Sequence, residues 1–120
     1  MPLQRILILD DDPAILEILD YVLTEAGYST LTLSIGDHIN EYILQFCPDL
    51  ILMDVMLAGL DGRDICKQLK ADLSYKTPII LISGTHNLHQ VMFDIGAPND
   101  FVAKPFDLDH LLISIERQFV

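Results

Sequence analysis

Basic residues are scarce in this sequence. Seven Lys and Arg stand against eighteen Asp and Glu in 120 residues, which gives a formal net charge of −11. An excess of negative charge of this size works against binding to nucleic acid or to an anionic membrane surface. Long apolar runs are also missing, since none approaches the ~20 residues of a membrane span and residues 1–5 lack the apolar core of a signal peptide. We therefore expect a cytoplasmic protein that binds neither nucleic acid nor membrane directly.

Cysteine is nearly absent as well. The two cysteines, Cys47 and Cys66, form no CxxC pair, and nothing else in the chain predicts a disulfide framework. We expect both to be reduced, partly buried thiols. The chain also lacks linkers and low-complexity segments, and its length fits a single hydrophobic core. These absences predict one domain over residues 1–120, with no output domain in this chain.

Five short apolar runs predict β-strands. Residues 6–9, 50–53 and 78–82 are almost continuous in Ile, Leu and Met, as expected of parallel strands that are covered on both faces. Residues 28–33 alternate Thr and Leu after the first two positions, and residues 99–103 are shorter and mixed. Both of these runs are predicted to flank the central three.

Segments of helical period follow each predicted strand. In the first segment, Asp12 is the predicted N-cap, Pro13 the first helical residue and Gly27 the residue past the end. The other predicted helices are 37–46, 60–73, about 86–95, and 107–119. With right-handed crossovers this order predicts an α/β fold: one doubly wound, five-stranded parallel sheet of (βα)5 type, with the flavodoxin-like strand order 2-1-3-4-5.

Acidic residues follow two of the predicted central strands. Asp10, Asp11 and Asp12 come directly after the first, and Asp54 comes directly after the third. The carboxyl ends of parallel strands share one edge of the sheet, which is where open α/β sheets bind ligands. Two unit charges about 4 Å apart repel by roughly 4 kcal/mol at an effective dielectric of 20, so clustered carboxylates favour a bound cation. Carboxylate oxygens are ligands that suit Mg²⁺.

Two more polar residues are predicted at the same edge. Ser83 ends the fourth strand and Lys104 ends the fifth. A carboxylate beside a metal ion can attack phosphorus, while a hydroxyl and an ammonium group neutralise and orient the phosphoryl oxygens. The set therefore predicts phosphoryl-transfer chemistry. Asp12 is interpreted as a helix cap rather than a ligand, because Pro13 follows it.

Four segments together produce a specific resemblance that covers essentially the whole chain. They read ILILDDDPAIL, PDLILMDVMLAGLDG, PIILISG and DFVAKPF. The chain resembles the response-regulator receiver domains of two-component signalling. The resemblance implies a switch that takes a phosphoryl group from a histidine kinase or a phosphotransfer protein and signals to a partner by changing conformation. It implies at most weak self-phosphorylation and self-dephosphorylation, and it makes a homodimer one option.

The resemblance also implies a role for each acidic residue at the edge of the sheet. Asp54 corresponds to the phosphoacceptor and to a ligand of Mg²⁺. Asp11 corresponds to a direct ligand of the metal and Asp10 to a ligand through water. Met56 would offer its backbone carbonyl to the metal.

Three further residues correspond to the groups that read the phosphate. Ser83 matches the switch hydroxyl, Lys104 the phosphate-binding lysine, and Phe101 the switch aromatic residue. The resemblance also implies a cis peptide bond between Lys104 and Pro105, a form that is populated almost only before proline.

The sequence departs from the family pattern in two places. After the third strand it has Met56-Leu57-Ala58-Gly59 where Met-Pro-Gly is usual, which removes the restraint of proline on φ. The interval from Ser83 to Gly96 is shorter than the family leads us to expect, and Pro98 is an additional residue before the last strand. We therefore expect a short or displaced helix at the surface through which the family usually signals.

A haloacid-dehalogenase-like phosphohydrolase is the alternative from a different class. Those enzymes also begin with an apolar strand followed by Asp-x-Asp, so Asp10 would be the nucleophile and Asp12 the general acid. The alternative is disfavoured because Ala14 stands where Thr or Val is usual, no acidic pair ends a strand after Lys104, and Asp54 would have no role. A receiver-like module that is never phosphorylated is disfavoured because every chemical position is filled.

Overall fold

The computed structural model describes residues 3–57, 59–72, 76–84 and 97–119. Its strands are β1 (Arg5–Leu9), β2 (Ser29–Leu33), β3 (Leu50–Asp54), β4 (Met56–Leu57), β5 (Leu60–Asp61), β6 (Ile79–Ser83) and β7 (Asp100–Ala103). Five of them form a parallel sheet with the order β2-β1-β3-β6-β7, and β4 and β5 form a separate antiparallel pair. Counting only the strands of the main sheet, the order is 2-1-3-4-5. The predicted α/β fold with a flavodoxin-like sheet is confirmed.

Four helices lie in the described part of the chain. They are α1 (Pro13–Glu25), α2 (Ile39–Phe46), α3 (Gly62–Ala71) and α4 (Leu108–Arg117). The start of α1 is as predicted, because the Asp12 carboxylate accepts a hydrogen bond from the Ala14 N–H at 2.9 Å. The end of α1 is also as predicted, with Gly27 in the left-handed region at φ +99°. The predicted helix at 86–95, and with it the shortening before Pro98, lies outside the described residues.

The predicted start of α3 at residue 60 was wrong. Leu60 and Asp61 are instead extended and pair with Leu57 and Met56. The helix begins only at Gly62, after the Asp61 carboxylate has accepted a hydrogen bond from the Arg63 N–H at 2.8 Å. A capping carboxylate needs extended backbone at its own position, so the cap separates the hairpin from the helix.

The side chains of the sheet build a core on each of its two faces. Successive residues of a strand point to opposite faces, so each central strand contributes to both sides. One face packs against α2 and α3 through Leu7, Leu9, Ile51, Met53, Ile79, Leu81, Ile39, Ile65, Cys66 and Leu69. The other face packs against α1 and α4 through Ile6, Ile8, Leu50, Leu52, Ile80, Ile82, Leu19, Leu23, Leu111 and Ile115. Each fully buried Leu or Ile contributes about 1.5–3 kcal/mol, and this burial holds the strand ends in place.

The two cysteines differ from the expectation of partial burial. Cys66 is fully buried in the core between the sheet and α3, and burial raises the pKa of its thiol to about 11. Cys47 is exposed, at the end of α2. No helix among the described residues has both the length and the apolar character that crossing a bilayer requires.

Candidate functional site

The register of β1 and β3 brings two buried acids together. Leu9 pairs with Met53, so Asp10 and Asp54 follow side by side at the carboxyl edge of the sheet. Both are almost fully buried, at 1% and 4% exposure, whereas the neighbouring Asp11 is exposed. Carboxylate oxygens of these three residues all lie within 4.8 Å of one another. The convergence that the sequence predicted for Asp10, Asp11 and Asp54 is therefore present.

Lys104 reaches the same cluster from the last strand of the sheet. Its N–H donates to the Ser83 carbonyl at 2.8 Å, which continues the pairing of β6 and β7 beyond Ala103. Its Nζ lies 3.3 Å from Oδ2 of Asp10 and 3.5 Å from Oδ1 of Asp54. The peptide bond from Lys104 to Pro105 is cis, as the resemblance implied.

The surroundings of Asp54 oppose its ionisation. Burial of the carboxyl group, and then the negative charge of Asp10, raise the pKa of Asp54 above its ordinary value of 3.8. The positive charge and hydrogen bond of Lys104, and a hydrogen bond from the Met56 N–H, offset part of this rise in the pKa. Asp54 is therefore a buried carboxylate that carries more basic character than an exposed aspartate.

The three carboxylates fit a divalent cation. Asp10, Asp11 and Asp54 offer oxygens to a common point, while the only ammonium group within 4 Å of them among the described residues is that of Lys104. Three negative charges against one positive charge leave the cluster with an excess of two. Hard oxygen donors that include one or two carboxylates, with room for water at an exposed side, are what Mg²⁺ requires. The exposure of Asp11 provides that open side.

Asp12 does not join the cluster. One of its carboxylate oxygens caps α1, and its N–H donates to Oδ1 of Asp10 at 2.9 Å. The interpretation of Asp12 as a helix cap is confirmed. Its backbone also contributes to the site, because the hydrogen bond orients the Asp10 carboxylate.

Ser83 and Phe101 occupy neighbouring strands next to the acids. Ser83 is the last residue of β6 and is 2% exposed. Phe101 lies on β7 opposite Leu81, is half-buried, and packs against the core on the α2 and α3 face. The positions match those expected from the sequence, whereas the roles of Ser83 and Phe101 in switching stay predictions.

The pair of strands β4 and β5 lies in the chain between Asp54 and α3. Met56 lies in this hairpin with an exposed side chain and an N–H that bonds to the Asp54 carboxylate. The predicted role of the Met56 carbonyl as a metal ligand stays a prediction. Sequence reasoning did not include Gly62, which follows the hairpin and packs directly on the backbone of Asp54. The only signal in the sequence was a glycine at the start of a predicted helix.

Comparisons with known proteins agree with this geometry. The family model for the response regulator receiver domain matches residues 6–116. A DNA-binding response regulator, MtrA of Mycolicibacterium smegmatis, is 34% identical over 116 residues, which are 96% of this chain and 50% of that protein. The chain thus spans about half the length of the curated relatives that it matches.

Two solved structures show the same architecture. A putative response regulator from Chloroflexus aurantiacus superposes with a TM-score of 0.86 at 28% identity, covering 98% of both chains. The BeF3-activated N-terminal receiver domain of Klebsiella pneumoniae RstA superposes with a TM-score of 0.86 at 26% identity, covering 96% of this chain and 97% of that one.

Proposed function

The chain belongs to the response regulator receiver domain family, and we propose that Asp54 is the residue through which it accepts a phosphoryl group. Domains of this family are phosphoacceptors of two-component signalling and not enzymes in the usual sense. Neither the family model nor the relatives support the phosphohydrolase alternative, in which Asp10 is the nucleophile.

The raised pKa of Asp54, in a buried position beside the Lys104 ammonium, supports its assignment as the acceptor. Lys104 lies within 3.5 Å of the carboxylates of both Asp10 and Asp54, so either acid could be considered as the acceptor. The Asp10 carboxylate is bound by the Asp12 N–H and by Lys104, and the Asp54 carboxylate by the Met56 N–H and by Lys104, so hydrogen bonding alone does not separate the two acids. Burial and the neighbouring negative charge raise the pKa of Asp54, so its carboxylate is a stronger nucleophile than that of an ordinary exposed aspartate. Together with the correspondence of Asp54 to the phosphoacceptor of the family, this favours Asp54 as the acceptor and Asp10 as a ligand of the metal.

The chemistry that follows is a transfer from nitrogen to oxygen. An oxygen of Asp54 forms a bond to the phosphorus of a phosphohistidine, the P–N bond breaks, and the freed imidazole takes up a proton. Lys104 then pairs with the phosphoryl oxygens, and the hydroxyl of Ser83 donates to them. We assign Mg²⁺ to Asp10, Asp11, Asp54 and the carbonyl of Met56. When bound, it would neutralise negative charge on the acids and the phosphoryl group.

The proposed partners follow from this chemistry. A histidine kinase or a phosphotransfer protein is the donor, and a downstream protein or a second copy of the chain receives the signal. Slow self-phosphorylation and self-dephosphorylation are part of the proposal. The expectation that the chain avoids nucleic acid gains no support from MtrA, which is named as DNA-binding and is twice as long as the matched region.

The acceptor is tested by intact mass after incubation with acetyl phosphate and Mg²⁺, followed by peptide mapping. We expect a gain of one phosphate on Asp54 that requires Mg²⁺ and that is abolished in Asp54→Asn. The matched control is Asp49→Asn, which changes an aspartate at the opposite end of the same strand and should be labelled like the wild type. Labelling of Asp10 would favour the phosphohydrolase alternative. If neither acid were labelled, the proposal that Asp54 is the acceptor would be wrong.

The read-out of the phosphate is proposed to run through Ser83 and Phe101. A phosphoryl group adds roughly −1.5 to −2 charges and three strong acceptors, so it should draw the Ser83 hydroxyl and Lys104 inward. Phe101 would then fill the space that Ser83 leaves. Hydrogen exchange with and without beryllofluoride should change in residues 97–106 and in 55–61, with little change in 28–46. Unaltered exchange in 97–106 while beryllofluoride is bound would contradict this route.

A further inference from the structure

The first residue of α3 lies against the backbone of Asp54. Gly62 is buried, and its N–H donates to the Val55 carbonyl at 2.8 Å. A Cβ atom built on Gly62 would lie 2.2 Å from the Asp54 carbonyl oxygen and 3.1 Å from the Val55 Cα. Real Cβ atoms essentially never come within 3.0 Å of such atoms. Only glycine allows this helix to start so close to the end of β3.

The start of α3 is fixed by more contacts than the end of β3. The start of α3 is fixed by the Asp61 cap and by the side chains of Ile65, Cys66 and Leu69, which are buried in the core. The end of β3 is held on one side only, because Asp54 pairs with Ile82 of β6 whereas the pairing with β1 ends at Met53. A steric clash between the start of α3 and the end of β3 would therefore displace the end of the strand, and Asp54 with it.

We infer that Gly62 is a positioning residue that sets where the Asp54 carboxylate stands relative to Lys104 and to Asp10. The inference rests on the proposed role of Asp54 as the phosphoacceptor. An added methyl group would have to move away from the Asp54 carbonyl by about 0.8 Å to reach even 3.0 Å. A displacement of about 1 Å in a reacting group costs on the order of 100-fold in rate.

The test compares Gly62→Ala with Gly27→Ala. Gly27 follows α1 at φ +99° and has no atom within 4 Å of its added Cβ, so alanine there strains the backbone without touching the site. Initial rates of labelling by acetyl phosphate are measured at rising Mg²⁺ concentration and expressed per folded molecule. For Gly62→Ala we expect the rate at saturating Mg²⁺ to fall at least about tenfold and the half-saturating Mg²⁺ concentration to rise. Gly27→Ala should melt at a lower temperature yet keep both values.

A second pair of variants keeps the test decisive if Gly62→Ala does not fold. Asp61→Ala removes the cap of α3, and Asp107→Ala removes the equivalent cap of α4, where the Asp107 carboxylate accepts from the Asp109 N–H at 2.8 Å. We expect Asp61→Ala alone to raise the half-saturating Mg²⁺ concentration, about twofold or more by the same displacement.

The outcomes distinguish a failure of the positioning role of Gly62 from a failure of the proposed acceptor role of Asp54. A folded Gly62→Ala that is labelled at the wild-type rate, or equal effects of Asp61→Ala and Asp107→Ala, would overturn the positioning role. Wild-type protein that is not labelled on Asp54 would instead overturn the proposed function.

Discussion

The two edges of the sheet use polar side chains in different ways. At the amino edge, where strands begin, polar side chains complete the hydrogen bonding of the backbone. At the carboxyl edge, polar side chains of the same charge lie close together. The Asp49 carboxylate accepts from the Arg5 N–H at 2.8 Å. The Asn99 side-chain oxygen accepts from the Ile79 N–H at 3.0 Å and from the Lys70 ammonium at 2.6 Å. Each of these groups has a complementary partner, and the result is stabilising.

The carboxyl edge has the reverse arrangement. Asp10 and Asp54 are buried beside each other, Asp11 adds a third carboxylate, and Lys104 supplies the one ammonium group near them among the described residues. Burial and the charge of Asp10 raise the pKa of Asp54, which means that the folded protein opposes the ionised form. The same sheet is therefore stabilised by complementary hydrogen bonds at one edge and destabilised by repulsion between carboxylates at the other. The destabilised edge is the one with the chemistry.

The largest expected effect comes from exchanging the lysine at each edge for methionine. Lys104→Met leaves two buried carboxylates without a counter-charge, so we expect a loss of about 1–3 kcal/mol in the free energy of unfolding at pH 7 without metal. Mg²⁺ replaces the missing positive charge and should recover more stability in this variant than in the wild type. Urea unfolding with EDTA or with Mg²⁺ measures both quantities.

The matched change at the amino edge is Lys70→Met. It removes a hydrogen bond to Asn99, so we expect the free energy of unfolding to fall by about 1 kcal/mol, and this loss should not depend on Mg²⁺. If the two variants responded equally to Mg²⁺, the contrast between the edges would not hold.

An intermediate effect is expected for the response to the metal itself. A ligand present at ten times its Kd stabilises a protein by roughly 1.4 kcal/mol, so the melting temperature of the wild type should rise with Mg²⁺. Asp11→Ala should erase most of that rise, and its melting temperature without metal should slightly exceed that of the wild type because a like charge is gone. Asp49→Ala should be less stable by about 1 kcal/mol and keep the full response. A response to Mg²⁺ that survives in Asp11→Ala would place the metal elsewhere.

The smallest effect concerns the dependence of stability on pH without metal. The pKa of Asp54 is raised in the folded state, so between 3.8 and the raised value the folded protein binds more protons than the unfolded chain. The contribution of Asp54 to the free energy of unfolding therefore falls as the pH rises through this window. Asp54→Asn removes this contribution, so in EDTA it should melt above the wild type at pH 7, by a margin that shrinks as the pH falls towards 4. A margin that stays constant with pH would show that the ionisation of Asp54 is not opposed.

Much of the fold was predictable because its signals are local. The apolar runs placed all five strands of the main sheet to within a residue or so at each end. The Asp12 cap and the Gly27 end bounded α1 correctly. The start of α3 was missed because Leu60 has an apolar side chain that suits a helix as well as a strand, and only its pairing with Leu57 decides between them.

The cluster of Asp10, Asp11, Asp54 and Lys104 was predictable in its membership and not in its geometry. By itself, the sequence determined that Asp10, Asp11, Asp54, Ser83 and Lys104 follow or end strands of one parallel sheet, because strand period and crossover handedness bring those ends to one edge. Only the tertiary structure decided that Lys104 stands 3.3 Å from Asp10, 94 positions away along the chain, and that Gly62 touches the backbone of Asp54. Charge interactions and steric contacts depend on separations of a few ångströms between residues distant in sequence, and those separations are set by strand register and core packing.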